Sequence, residues 1–391
     1  LPGFHDDLIV NQEKNFRTPR LIDLMKKMYD ISFDDYSDSI REAWLHHADP
    51  HVKKALRIQA WEELKANGMM GSCWVTYITL SFKKKEIAKP GKYPRVYANL
   101  GIHSSLLGFI LMELIKIAMS KYTLDVHGGS MKFVKTPSPE NLTEVFDKML
   151  NPPGRFFAPV FSDDSCLAIR QGGKILYYNL DISSCDASHY RTVFEEFVKI
   201  FPDDLQDEVR LIISQCESKC KIFSFSNDEQ IVIKPSGPFL ASGSVLTTAF
   251  NTFVVFHLID RITRDEVVTE DSIKRAANEM GYILTVDVCK TYHTIQFLKH
   301  SPAMDVYGRL RPVLNLGVLL RFSGQCFGDL PGKGPLKPRA EAMEKALLQG
   351  AYPYTHIPFI ELMKRKVAHA KEIDITDELA FKVDFSGTEP E

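Results

Sequence analysis

Three aspartates are the residues of this chain whose spacing most plainly suggests chemistry. Asp163 and Asp164 sit at the centre of Ser162-Asp163-Asp164-Ser165, a turn between the apolar runs Val160-Phe161 and 166–169. Asp181 follows the strand-like run 174–180, and only the turn Gln171-Gly172-Gly173 separates that run from the Asp-Asp hairpin. Antiparallel pairing across so short a link brings the hairpin tip and the end of the Asp181 strand to one edge of a sheet. Three carboxylates at one edge repel one another unless cations neutralise them. Two Mg²⁺ (or Mn²⁺) ions, about 3.5–4 Å apart in sites of this kind, would do so and would support phosphoryl transfer. An isolated polar turn is ordinarily a solvated loop, and paired aspartates near a strand end are commonplace. The shared edge is what gives these residues weight.

Two further groups could serve such a reaction. Asp186 lies shortly after Asp181, and Ser242-Gly243 forms a polar turn running into an apolar helix. On that helix Thr247 and Asn251 are one turn apart and share a face. Placed beside Asp186, they could hydrogen-bond a ribose 2′-hydroxyl, the group that separates RNA from DNA; the plain alternative is an N-cap by Ser242. In the segment 83–95, Lys89, Lys92 and Arg95 alternate with Pro90, Gly91 and Pro94. A stiff extended stretch of that kind can hold cations along a triphosphate. Other clusters carry less. His46, His47 and His51 fit a solvated helix end, Cys216 and Cys220 lack a second pair for zinc, and His127-Gly128-Gly129-Ser130 reads as a loop because no Gly-x-Ser-x-Gly elbow accompanies it.

These residues require elements to hold them. The pattern predicts helix through much of 11–65 with boundaries at Pro19 and Pro50, a strand over 73–82, and an apolar helix over 104–120. The three antiparallel strands of the hairpin region come next, then helices over 190–200 and 205–216 and a hairpin-like run over 222–233. Residues 240–251 open a long apolar helix reaching Arg261, a helix over 271–280 stops at Gly281, and 282–288 form a strand. The remainder reads as helix apart from the loop 330–339, ending in an acidic tail.

Composition sets the limits. The chain has 391 residues, 45% hydrophobic and 25% charged, which is an ordinary globular balance and excludes disordered and fibrous classes. Lys and Arg (48) nearly match Asp and Glu (50), so a polyanion partner must be met by local basic surface and not by net charge. Seven scattered cysteines, an odd number, favour a reducing compartment over secretion. The stretch 105–119 is interrupted by Glu113 and Lys116, so it reads as a buried helix and no transmembrane segment is expected. No signal peptide is visible, and a start at Leu1 without methionine suggests a piece of something longer.

Taken together, these residues resemble the fingers basic motif and palm motifs A, B and C of positive-strand RNA virus RNA-dependent RNA polymerases. Lys84 and Glu86 with Lys89, Lys92 and Arg95 resemble the motif that grips the nucleotide's phosphates. Asp181 and Asp186 resemble motif A, Ser242 and Gly243 with Thr247 and Asn251 resemble motif B, and Ser162-Asp163-Asp164 resembles the Gly-Asp-Asp of motif C. Lys290 falls where motif D places a proton donor, and Gln296-Phe297-Leu298-Lys299 resembles the primer-grip turn of motif E. Two features depart from the pattern: Ser162 replaces glycine, and motif C precedes motif A. Between motifs B and D the chain offers only 262–270, too short for a strand hairpin and without an Asp pair. The permuted order is known in polymerases of permutotetraviruses and birnaviruses, and this Asp-Asp pair is closer to the former than to the birnavirus Asp-Asn.

The resemblance implies an α+β right-hand fold of fingers, palm and thumb with an antiparallel palm sheet. Its parts would be an N-terminal extension and fingers (1–157), palm with motifs C and A (158–190), a fingers insertion (191–239), palm with motifs B, D and E (240–305) and a thumb (306–391). It further implies replication of a viral RNA genome by two-metal nucleotidyl transfer. Asp163, Asp164 and Asp181 would hold the metals, Asp186, Ser242, Thr247 and Asn251 would read the ribose, and Lys290 would protonate pyrophosphate. Partners would be RNA template and product, nucleoside triphosphates and other replication proteins, in the host cytoplasm or the virion. The alternatives are a catalytically silent RNA-binding replication protein, or a reverse transcriptase. The latter usually carries a bulky aromatic where Asp186 stands.

Overall fold

The structure, a computed structural model, describes residues 16–29, 54–71, 77–82, most of 96–134, 138–322 except 204, 224–229 and 306, and part of 335–366. In chain order its strands are β1 (Tyr77–Phe82), β2 (Val96–Asn99), β3 (Thr123–Val126), β4 (Gly129–Phe133), β5 (Phe156–Phe161), β6 (Asp164–Gln171) and β7 (Lys174–Ile182). After these come β8 (Lys219–Phe223), β9 (Gln230–Ile233), β10 (Leu284–Cys289), β11 (His300–Met304) and β12 (Leu310–Leu314). The chain divides into two compact units, Leu1–His127 with Asp181–Thr285, and Gly128–Leu180 with Val286–Glu391.

The first unit is organised around the Thr247–Thr263 helix. Its sequence carries apolar residues on every side, and accordingly it is buried nearly throughout, from Ala249 to Asp260. Phe250 packs against Phe194 and Phe197 with ring centroids 4.5 and 4.8 Å apart. Burying each such ring contributes about 2–3 kcal/mol. The helix starts at Thr247 and not at 240 as its composition predicts. Residues 241–244 instead form a turn, with Gly243 at φ 107° and the Ser244 N–H donating to the Ala241 carbonyl at 2.8 Å. A second helix, Glu270–Glu279, opens with a capping box between Thr269 and Ser272 and closes at Gly281 (φ 85°), as expected. A sheet in the order β2-β1-β8-β9 completes the unit, with β1 parallel to β8 and the outer pairs antiparallel.

In the second unit the strand order is β10-β7-β6-β5-β4. β5, β6 and β7 form the expected antiparallel meander. β4 and β5 are parallel and joined through the Pro139–Leu150 helix, a crossover connection. That helix begins where Ser138 accepts the Asn141 N–H at 3.1 Å. Leu142, Val145, Phe146 and Met149, at helical spacing, are its buried face. One expectation fails here, because β11 and β12 form an antiparallel hairpin where helix is predicted, with Pro302 opposite Pro312. Its turn is organised by Asp305, whose carboxylate accepts the Tyr307 and Arg309 N–H groups, each at 2.9 Å. Those bonds, with Arg309 and Arg311 beside it, hold its carboxyl down at about 2. The whole is a mixed α/β structure rich in antiparallel pairing. Among the described residues no helix is long and apolar enough to cross a membrane.

Candidate active site

The Asp-Asp turn is a two-residue hairpin loop. Phe161 pairs with Asp164, leaving Ser162 and Asp163 as the loop, and Ser162 takes the left-handed conformation at φ 56°. A glycine adopts that conformation without penalty, and the small Ser162 occupies it here. At the far end Gln171 pairs with Lys174 across Gly172 and Gly173, at φ 59° and 74°, the type I′ geometry of a tight hairpin. The register that follows sets Ser165 opposite Leu180, and Asp181 is the next residue along β7. Asp163 and Asp164 are half-buried and Asp181 is exposed.

Asp164 also holds a neighbouring turn. One of its carboxylate oxygens accepts the Leu298 N–H at 2.8 Å. Phe297 and His300 exchange backbone hydrogen bonds at 2.9 and 3.0 Å, closing a hairpin whose two central residues, Leu298 (φ 50°) and Lys299 (φ 63°), are both left-handed. For non-glycine residues this costs about 1–2 kcal/mol each, so other contacts must impose it. Asn179 of β7 supplies several, accepting the Gln296 N–H at 2.9 Å and donating to the Thr294 carbonyl and the Asp287 carboxylate, each at 2.9 Å. The buried Cys166 thiol donates to the Gln296 carbonyl at 2.9 Å. Lys290 stands exposed at the end of β10.

In the first unit, the short Cys185–Ser188 helix presents Asp186. One of its oxygens accepts from the Ser242 hydroxyl, and the other accepts from Asn251 Nδ2 at 3.0 Å. Asn251 Oδ1 lies 2.8 Å from His189 Nε2, and His189 Nδ1 lies 3.0 Å from the Tyr282 hydroxyl. Only one set of donors satisfies this chain. The Asp186 carboxylate can only accept, so the Asn251 amide nitrogen faces it and the amide oxygen faces His189. His189 therefore carries its proton on Nε2 and accepts from Tyr282 at Nδ1. Burial pushes His189 down to about 4, which keeps it neutral. Asn251, His189 and Tyr282 are 2%, 5% and 0% exposed, whereas Asp186 is half-buried and Ser242 likewise.

The Ser242-Gly243 turn is locked from β2. The Ala98 N–H donates to the Ser242 carbonyl at 2.7 Å, and a β-carbon on Gly243 would stand 2.6 Å from the Ala98 carbonyl oxygen. Thr247 donates its hydroxyl to the Ser244 carbonyl at 2.8 Å. Asp186, Ser242 and Asn251 are thus brought together as one group. Lys84, Lys89, Lys92 and Arg95 lie outside the described residues. Sequence reasoning missed His189 and Tyr282. The available signal was Asn251 itself, an amide within a largely apolar helix, which must find buried partners.

Two donor sets bear on a metal. Among the described residues, Cys185, Asp186 and His189 are the one trio whose ligand atoms lie within 4.8 Å of one another. Its chemistry does not fit a cation, because both His189 nitrogens and both Asp186 oxygens already serve the hydrogen-bond chain. Asp163, Asp164 and Asp181 are hard oxygen donors of the type that Mg²⁺ and Mn²⁺ prefer. Among the described residues these three do not form a trio as close as that of Cys185, Asp186 and His189.

No family model matches the chain, and no curated protein matches it. Among solved structures it is similar to the birnavirus VP1–VP3 complex, with a TM-score of 0.54 and 14% identity, over 86% of this chain and 53% of that one. It is also similar to the RNA-dependent RNA polymerase of a human picobirnavirus, with a TM-score of 0.47 and 13% identity, over 76% of this chain and 56% of that one. The chain spans about half the length of each. By the first of these likenesses, the chain shares a fold with the birnavirus VP1–VP3 complex.

Proposed function

We propose that this chain is a viral RNA-directed RNA polymerase, adding ribonucleotides to an RNA 3′-end on an RNA template. The observation that carries the reading is the β5–β6–β7 register. Ser165 lies opposite Leu180, and the residue before the one and the residue after the other are both aspartates. The birnavirus-like fold supports it independently.

Asp163 and Asp181, with Asp164 assisting, are the residues that would hold two Mg²⁺ or Mn²⁺ ions, which supply charge stabilisation for the phosphoryl transfer. Asp186 and Ser242 are the half-buried polar pair that would meet the ribose, with Thr247 and Asn251 supporting them. Lys84, Lys89, Lys92 and Arg95 would neutralise the triphosphate, and Lys290 would protonate the pyrophosphate. The 296–299 turn would brace the primer strand. In this reading 158–190 and 240–305 are palm, 1–157 and 191–239 are fingers, and 306–391 are thumb, with motif C permuted ahead of motif A. The enzyme would work with RNA, nucleoside triphosphates and other replication proteins in the host cytoplasm or the virion.

Primer extension on an RNA template with Mg²⁺ tests the proposal. The wild-type chain should incorporate ribonucleotides far better than deoxyribonucleotides. Asp163→Ala should lower incorporation by at least about a hundredfold, the scale of losing a group that organises transition-state charge. Undiminished synthesis by that variant would refute the assignment of Asp163.

A further inference from the structure

We infer that His189 and Tyr282, neither of them exposed enough to meet a substrate, are positioning residues for sugar selection. They hold the Asn251 amide in the one orientation that donates to Asp186. The inference rests on Asp186 being the carboxylate that meets the ribose.

The argument starts from what Asn251 can do. At 2% exposure its amide is spent inside the protein, on Asp186 at 3.0 Å and on His189 at 2.8 Å, so it acts on a nucleotide through Asp186. An amide group can turn over and exchange its oxygen for its nitrogen. Turned over, it would set an oxygen against the Asp186 carboxylate and release that oxygen of Asp186 from its buried donor. His189 opposes this turn by offering Nε2–H to the amide oxygen, a tautomer completed by the Tyr282 hydroxyl, which donates to Nδ1 across 3.0 Å. The chain from Tyr282 through His189 and Asn251 to Asp186 thus runs in one direction. It fixes which lone pairs of Asp186 remain for a ligand. His189 also packs as an aromatic, 4.8 Å from the Phe250 ring centroid, so a packing role and a positioning role must be separated by experiment.

The readout is the ratio of kcat/KM for a ribonucleotide to that for its 2′-deoxy analogue, measured by single-nucleotide primer extension with Mg²⁺. A general loss of structure lowers both and leaves the ratio. His189→Phe keeps a ring and removes both hydrogen bonds; the ratio should fall about tenfold, mainly through a higher KM for the ribonucleotide. Tyr282→Phe deletes one oxygen and should lower it about threefold; both values are within the worth of neutral hydrogen bonds. His189→Gln, whose amide nitrogen reaches the place of the ring Nε2, should restore most of the ratio. If His189→Phe does not fold, Tyr282→Phe decides alone. An unchanged ratio in Tyr282→Phe and His189→Phe, with the ratio lost in Asn251→Ala, overturns the inference and leaves the polymerase reading intact. An unchanged ratio in Asn251→Ala and Asp186→Ala as well overturns both the inference and the assignment of these residues to the ribose.

Discussion

Asp164 carries two duties that substitution can separate. Its charge belongs to the proposed metal site, while one of its oxygens accepts the Leu298 N–H of a turn with two left-handed non-glycine residues. Asp164→Asn keeps an acceptor oxygen for Leu298 and gives up the charge. Asp164→Ala gives up both, leaving a partly buried N–H without that acceptor at a cost of about 1–3 kcal/mol. The alanine variant should therefore unfold at distinctly lower urea concentration than wild type, and the asparagine variant at nearly the same. In primer extension both should need more Mg²⁺ for half-maximal rate. Equal midpoints for the alanine and asparagine variants would show that the Leu298 contact contributes nothing to stability. This second duty could not be read from the sequence, because the Asp-Asp pair and the 296–299 turn are more than a hundred positions apart and nothing local links them.

Elements were legible where local chemistry and tertiary packing agree. The β5–β6–β7 meander follows from apolar runs punctuated by Ser162-Asp163 and by Gly172-Gly173, and its register follows from loops of two residues. The β11–β12 hairpin was not legible, because Pro302 and Pro312 lie within the strands and each removes a donor. A two-stranded pair tolerates them at positions a central strand would not. The late start of the Thr247–Thr263 helix was half legible: Ser242-Gly243-Ser244 signals a turn inside the apolar run from residue 240, while the contact of Ser242 and Gly243 with Ala98 that fixes the turn lies too far away in sequence to be read. That contact yields a prediction. Gly243→Ala must adopt φ 107° and place a β-carbon 2.6 Å from the Ala98 carbonyl oxygen, which backbone movement has to relieve at a cost of about 1–3 kcal/mol. The turn would shift and carry Ser242 away from Asp186. The expected result is a lower melting temperature together with weaker preference for ribonucleotides. A Gly243→Ala variant with wild-type stability and wild-type preference would show that the turn has no such constraint.

At the scale of the whole molecule, the likeness in fold to the birnavirus VP1–VP3 complex holds at only 14% identity. A core needs apolar residues of about the right volume at the right places, which leaves most side-chain types free to vary while the fold persists. What the sequence hides is how far the interior depends on neutral histidine. In the first unit, burial pushes both His189 and His257 down to about 4. His257 is stacked on Phe16 at 4.6 Å and donates from Nδ1 to the Phe253 carbonyl at 2.8 Å, while Asp260 and Arg264 act on it with opposite sign. In the unfolded chain such a group titrates near 6.5. Because the folded value is the lower one, the unfolded state binds more protons between the two. The stability each neutral histidine contributes is complete above about 6.5 and is lost as pH falls through about 4. Each should lower unfolding free energy by up to about 1.4 kcal/mol per pH unit inside that window. Asp305 belongs to a different window: held at about 2, its contribution is complete above the ordinary aspartate range and is lost only as pH falls towards 2. Urea unfolding between pH 7 and 4.5 should therefore show a steady loss of stability, and His257→Gln should show a shallower slope than wild type over the same range. Parallel slopes would mean that His257 is charged in the folded protein or neutral in both states.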